Sequence, residues 1–156
     1  MEKFSYMIKV ARVCEAPSAK ISNASIACDY WKNVIARQSW FDHEKEHLIV
    51  LLLNTNAEIE GYSLVSIGTL SETLAHQREI FRAAVATSAY AIILMHNHPS
   101  GNASPSDADR FLTMRASEAG ALLDVPVLDH VIVAAGGFYS FKDNDIQFRR
   151  NNNNNN

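Results

Sequence analysis

The sequence predicts an α/β domain built on a mixed β-sheet flanked by helices. Apolar runs of strand length, at 46–54 and 89–95, alternate with stretches whose apolar residues recur at helical spacing. Two pairs of strand-like runs are separated only by short turns and so form antiparallel hairpins, which a purely parallel sheet does not contain. The 156 residues are 47% hydrophobic and 20% charged, a composition that suits one globular domain with a core of its own.

Residues 1–20 read as an N-terminal extension, in which Tyr6–Val13 alternates weakly and suggests a short strand. Ser22 or Asn23 caps a helix to about Arg37, with Ile26, Tyr30, Trp31, Val34 and Ile35 at helical spacing. Trp40–Lys45 reads as a polar turn. Glu46–Asn54 is apolar on both faces, as in a strand covered from both sides. After the turn at Asn54–Asn56, Glu58–Ile67 alternates, with Ile59, Tyr62, Leu64 and Ile67 apolar, and Gly68-Thr69 ends it.

Ser71–Ser88 reads as a helix capped by Ser71 or Thr73, with Leu74, Ile80, Phe81, Ala84 and Val85 as its core stripe. Ala89–Met95 is a buried strand, and Pro99 and Gly101 force a loop after it. The next helix starts with Ser104 as N-cap and Pro105 in the first helical position, and runs to about Ala119 with Gly120 as its C-terminal cap. Val125–Ala134 is a strand, Gly136-Gly137 a tight turn and Phe138–Phe141 a short return strand. The folded domain is expected over 21–148, followed by a polar tail, 149–156, that ends in six asparagines and is expected to be disordered.

A net charge of -3 argues against a strongly basic nucleic-acid binder, and Arg149-Arg150 is too short a basic run to change that. Cys14 and Cys28 make no disulfide framework and fit a reducing compartment. Met1–Val10 lacks the features of a secretory leader, and the apolar stretches 48–53 and 89–95 are too short to cross a bilayer. A cytoplasmic protein without membrane contact is expected.

The chemistry concentrates at His96, His98 and Asp109. Residues i and i+2 of a strand point to one face, so both imidazoles can converge on one ion while Asn97 points away. Asp109 lies one turn into the following helix, after a Pro/Gly loop that folds back over the strand end. Two imidazoles and one carboxylate suit zinc and leave a fourth position for water, the pattern of a catalytic rather than a structural site. An isolated H-x-H is a weak signal, and the letters HNH do not match an HNH nuclease, whose residues are spread over a longer element.

The string from His96 to Asp109, HNHPSGNASPSDAD, resembles the JAMM (MPN+) metalloprotease signature, H-x-H-P followed by S-x-x-D. Within that family it is similar to the RadC branch, marked by HNHPSG and a downstream PSxxD. Gly68-Thr69-Leu70, the run Arg78–Ala84 and the run Leu128–Val133 add to the resemblance, which covers about residues 20–142. It implies the three-layer JAMM/MPN architecture, related to that of cytidine deaminases. It also implies one zinc ion per chain on His96, His98 and Asp109.

The resemblance further implies hydrolysis of an amide, peptide or isopeptide bond by zinc-activated water. Glu46 matches the family's catalytic Glu; Glu44 is the competitor, and Glu46 is preferred because it abuts the apolar strand. Without the resemblance, Glu46 would read as a solvated residue at the start of a strand. Ser106 matches the Ser that helps stabilise the oxyanion, and it also reads as a helix N-cap or first-turn hydroxyl. His130 would support the site from behind, whereas His43, His47 and His76 are expected at the surface or in packing. The branch usually carries His-Pro-Arg-Glu where this chain has His76-Gln77-Arg78-Glu79, a change at a helix start and not at a ligand.

The alternative that the RadC resemblance implies is a DNA-repair-associated accessory protein. Full-length relatives often carry an N-terminal helix-hairpin-helix region that is not found here, so a DNA partner is supported neither by that region nor by the charge. A catalytically silent scaffold would not need the complete set Glu46, His96, His98, Ser106 and Asp109. Neither the substrate nor the oligomeric state is encoded.

Overall fold

The computed structural model of the protein describes residues 18–68 and 76–144. Helix α1 spans Ala24–Asn33 and is followed by a 3₁₀ turn, Ile35–Arg37. Strands β1 (His47–Leu53) and β2 (Ile59–Ile67) come next, then helix α2 (Gln77–Thr87), strand β3 (Ala91–Asn97) and helix α3 (Asp107–Leu122). Strands β4 (Val127–Ala134) and β5 (Gly137–Ser140) complete the order. The five strands form one mixed sheet, β2-β1-β3-β4-β5. Only β3 and β4 are parallel, because α3 provides the crossover that parallel neighbours require.

Alternation along the strands divides the core in two. Ile49, Leu51, Leu53, Ile93, Met95, Val131 and Val133 face α1, against Ala27, Cys28, Trp31 and Ile35. Leu48, Val50, Leu52, Ile92, Leu94 and Val127 face α2 and α3, against Ile80, Phe81, Leu112 and Ala116. The architecture is therefore three-layered, helix–sheet–helix, as expected. Strands β1 and β3 are buried at all seven positions, which explains their unbroken apolar runs. Cys28 is a free thiol in the α1 layer; burial, the dominant influence, pushes its pKa up to about 11 and leaves it inert.

Several boundaries differ from expectation. Helix α1 ends at Asn33 and its predicted last turn is 3₁₀, with Asn23 as the side-chain cap. Trp40 and Phe41, read as part of a polar turn, are partly buried in an aromatic cluster with Trp31, His47 and Tyr62. Strand β3 continues through His96 and Asn97 because their backbone still pairs with β1 and β4, so the loop begins at His98. Val85 is 56% exposed, since the buried stripe of α2 narrows to Ile80, Phe81 and Ala84.

Ser104 and Pro105 precede α3 and do not cap it; Ser106 is its N-cap. Gly120 lies inside α3, which continues to Leu122. The β4–β5 turn is Ala135-Gly136, one residue earlier than predicted, and Gly137 already pairs with Ala134. The strand suggested at Tyr6–Val13, the caps Ser71 and Thr73, Leu74, Cys14 and the tail 149–156 lie outside the described residues. Residues 18–21 run along the start of β2, where Lys20 bridges Glu58 and the Ile59 N–H donates to the Ala19 carbonyl at 2.9 Å. Among the described residues, no helix is long and apolar enough to cross a membrane.

Candidate metal centre

Strand β3 delivers the first two side chains. His96 pairs with Leu48 of β1 and follows Ile92 and Leu94 on the face that α2 and α3 cover. His98 lies one residue past β3, and its N–H donates to the Val133 carbonyl at 2.9 Å, which keeps it in line with β4. Two residues apart on extended backbone, the rings share a face.

Asp109 is delivered by the first turn of α3. Ser106 forms a capping box: its Oγ accepts from the Asp109 N–H at 3.2 Å, and its own N–H donates to Asp109 Oδ2 at 2.7 Å. The Ser106 hydroxyl donates to the same oxygen at 2.7 Å. Asp109 is thus held at the N-terminus of a helix, whose partial positive charge favours a carboxylate. The cap therefore orients a candidate metal ligand as well as starting the helix.

The three groups converge. His96 Nε2 is 2.9 Å from His98 Nε2 and 3.1 Å from Asp109 Oδ1, and His98 Nε2 is 3.4 Å from Asp109 Oδ2. His96 and Asp109 are buried and His98 nearly so. Burial would raise the Asp109 carboxyl, but its close partners, His96 at Oδ1 and the two bonds from Ser106 at Oδ2, hold it far below the usual carboxylate range.

The outer nitrogens of both rings are committed. His98 Nδ1 is 2.9 Å from the Asn102 carbonyl, which can only accept, so that nitrogen carries the proton. His96 Nδ1 is 2.8 Å from His130 Nε2. His130 Nδ1 is 2.6 Å from Thr113 Oγ1, and that hydroxyl donates to the Asp109 carbonyl at 2.6 Å. His130 is fully buried and its ring is stacked on Phe141 at 5.0 Å. Desolvation by its complete burial is the main cause that holds its pKa well below 6.5, which favours the neutral ring.

These contacts decide whether a metal fits. With protons on the Nδ1 atoms, His96 Nε2 and His98 Nε2 direct lone pairs at each other and at a carboxylate. In that state three electron-rich groups at 2.9–3.4 Å repel unless a metal cation or a proton lies among them. Ligands about 2.1 Å from zinc at tetrahedral angles are roughly 3.4 Å apart, close to these separations. The donor set fits a divalent metal such as zinc, and His96, His98 and Asp109 form a group able to hold one.

Glu46 lies at the start of β1. Two residues before Leu48, its register position is opposite His98 and on the face that carries His96. Its carbonyl accepts from the Gly68 N–H at 2.8 Å, which ties the position to β2 as well. The Asn97 side chain brackets Glu46: Oδ1 accepts from the His47 N–H at 2.8 Å, and Nδ2 donates to the Lys45 carbonyl at 2.9 Å. Glu44 is exposed in the preceding turn, with its N–H on Asp42 Oδ1.

The remaining histidines pack or face solvent. His47 is buried and stacked on Phe41 at 4.4 Å, whereas His43 and His76 are exposed.

A family model described as the RadC-like JAB domain matches residues 21–146. The chain belongs to this family. Among relatives of this RadC-like JAB domain, a UPF0758 protein of Chlorobium phaeovibrioides is 51% identical over 104 residues, 67% of this chain and 47% of the relative. One of Chlorobaculum parvum is 44% identical over 127 residues, 81% of this chain and 55% of its own length. One of Rubrobacter xylanophilus is 46% identical over 103 residues, 66% and 45%. The RadC-like JAB chain spans about half the length of these curated relatives.

Sequence reasoning brought His96, His98, Asp109, Ser106, Glu46 and His130 to this end of the sheet. It missed Thr113 and the bracketing role of Asn97. Thr113 was within reach, because it lies four residues after Asp109 and so on the same helix face. The partners of Asn97 are backbone groups 50 and 52 positions away, which only the β1–β3 register brings close.

Proposed function

We propose that this RadC-like JAB domain is a zinc-dependent hydrolase of an amide, peptide or isopeptide bond, with one zinc ion on His96, His98 and Asp109. The observation that supports it is the convergence of His96 Nε2, His98 Nε2 and the Asp109 carboxylate within 2.9–3.4 Å of one another. When bound there, zinc supplies Lewis acidity, which polarises a carbonyl and lowers the pKa of water from about 15.7 toward 7.

The remaining work falls to the protein's own groups. Glu46, at the register position opposite His98, takes a proton from the attacking water as a C–O bond forms at the carbonyl carbon. It returns that proton to the amine nitrogen as the C–N bond breaks, so the products are a carboxylic acid and an amine and no acyl-enzyme forms. Ser106 serves the oxyanion by turning its hydroxyl proton from Asp109 Oδ2 toward the developing charge. The partner is thus an amide-containing substrate, and the buried free thiol of Cys28 suits a reducing, cytoplasmic setting.

Glu46→Gln tests the reading. The variant is expected to keep zinc and to lose cleavage of a peptide library by about 10²–10⁴-fold, the range for removing a general acid–base group. Undiminished cleavage would contradict the role given to Glu46. Salt-sensitive binding of DNA by a chain without hydrolytic activity would favour the accessory-protein alternative.

A further inference from the structure

We propose that His130 and Thr113 are positioning residues that hold His96 in the tautomer able to bind a metal through Nε2. The inference rests on the metal-site reading above and goes beyond it, since neither side chain offers an atom to the cluster of His96, His98 and Asp109.

The direction of the hydrogen-bond chain is set at its far end. The Asp109 carbonyl can only accept, so the single Thr113 hydroxyl proton goes to it at 2.6 Å. The Thr113 oxygen must then accept at 2.6 Å, which places a proton on His130 Nδ1. A neutral His130 then has a bare Nε2, which accepts at 2.8 Å and places a proton on His96 Nδ1. His96 Nε2 is left with its lone pair aimed at His98 and Asp109. Complete burial favours the neutral His130 ring, and for a neutral ring any other assignment sets two acceptors or two donors against each other where no water compensates.

The chain begins on one candidate ligand and ends on another. Asp109 contributes its carboxylate to the cluster and its backbone carbonyl to Thr113, one helical turn further along α3. His130, on β4, spans the gap back to His96 on β3. Its ring cannot turn freely, because it is fully buried and lies parallel to Phe141, with 9° between the planes. An imidazole without such a partner interconverts between tautomers, and the one protonated at Nε2 cannot bind a metal through that atom.

The test uses the full chain, two independent deletion variants and one rescue variant. Thr113→Val removes the hydroxyl at nearly constant volume, and His130→Phe fills the space while removing the acceptor. His130→Gln can restore an acceptor for His96. Zinc affinity is measured by competition with a chromophoric chelator, and the His96 ring nitrogens are read by NMR in the metal-free protein. Wild type is expected to carry the His96 proton on Nδ1. His130→Phe should bind zinc about 10–100-fold more weakly, Thr113→Val should be weakened in the same direction, and His130→Gln should regain part of the loss.

Zinc binding at wild-type affinity in both folded deletion variants, or a His96 proton on Nε2 in the metal-free wild type, would overturn the proposal. If His130→Phe does not fold, Thr113→Val decides through the same two readouts. If wild type binds no zinc, the metal reading fails, while the His96 tautomer still decides whether the relay operates.

Discussion

His130 carries the clearest consequence at the scale of single residues. Its ring is buried against Phe141 and bonded to Thr113 and His96, and desolvation above all holds its pKa well below 6.5. In the unfolded chain the same ring takes up a proton as pH falls through about 6.5. The unfolded state then binds more protons than the native state, so native stability must fall with acidification. Asp109 acts in a lower window: its depressed carboxyl contributes above the unfolded value of 3.8 and loses that contribution only as pH falls below it. Denaturant titrations of metal-free protein are therefore expected to show stability declining from about pH 6.5 to 5, less so in His130→Phe; a flat profile in wild type would contradict a buried neutral ring. At this scale the sequence revealed the three groups that cluster as a candidate metal site, since strand period and helix spacing align His96, His98 and Asp109. It concealed Asn97 and Thr113, whose work is to hold backbone and tautomers through partners that only the folded register supplies.

Gly120 shows at the scale of elements why local signals mislead. A glycine near the end of an amphipathic run reads as a cap, yet α3 continues past it to Leu122. The reason is tertiary: a Cβ there would lie 2.6 Å from the Val125 carbonyl oxygen and 3.3 Å from the Phe81 ring. The Val125 N–H also donates to the Gly120 carbonyl at 3.0 Å, so the start of the next segment lies directly on the helix. Alanine would raise helix propensity by about 1 kcal/mol, but the close approach to backbone costs more. Gly120→Ala is expected to be destabilised by about 1–3 kcal/mol in a denaturant titration, and equal or greater stability would contradict the close contact. The strands were more legible, because β1 and β3 are buried on both faces and their composition says so directly. The start of α3 was misread by two residues: Ser104, Pro105 and Ser106 all carry cap signals, and only the bonds between Ser106 and Asp109 select among them.

Across the whole molecule, three layers bring the carboxyl end of β3, the start of β1 and the N-terminus of α3 to one place. The crossover from β3 through α3 to the parallel β4 puts a helix N-terminus beside the end of the strand that carries two histidines. This is the general location of sites in sheets with parallel crossovers. The fold class, the mixed sheet and the family were all legible in the sequence, because the motif spans one strand, one loop and one helix turn that must meet. The substrate was not legible, since a substrate contacts surfaces that no motif encodes. The central claim is that this end of the sheet holds zinc, and the most direct test is the metal content of the purified full chain, handled without chelators. Wild type is expected to carry about one zinc per chain, lost in His96→Ala and in Asp109→Ala; metal-free wild type, or variants that keep their zinc, would contradict it.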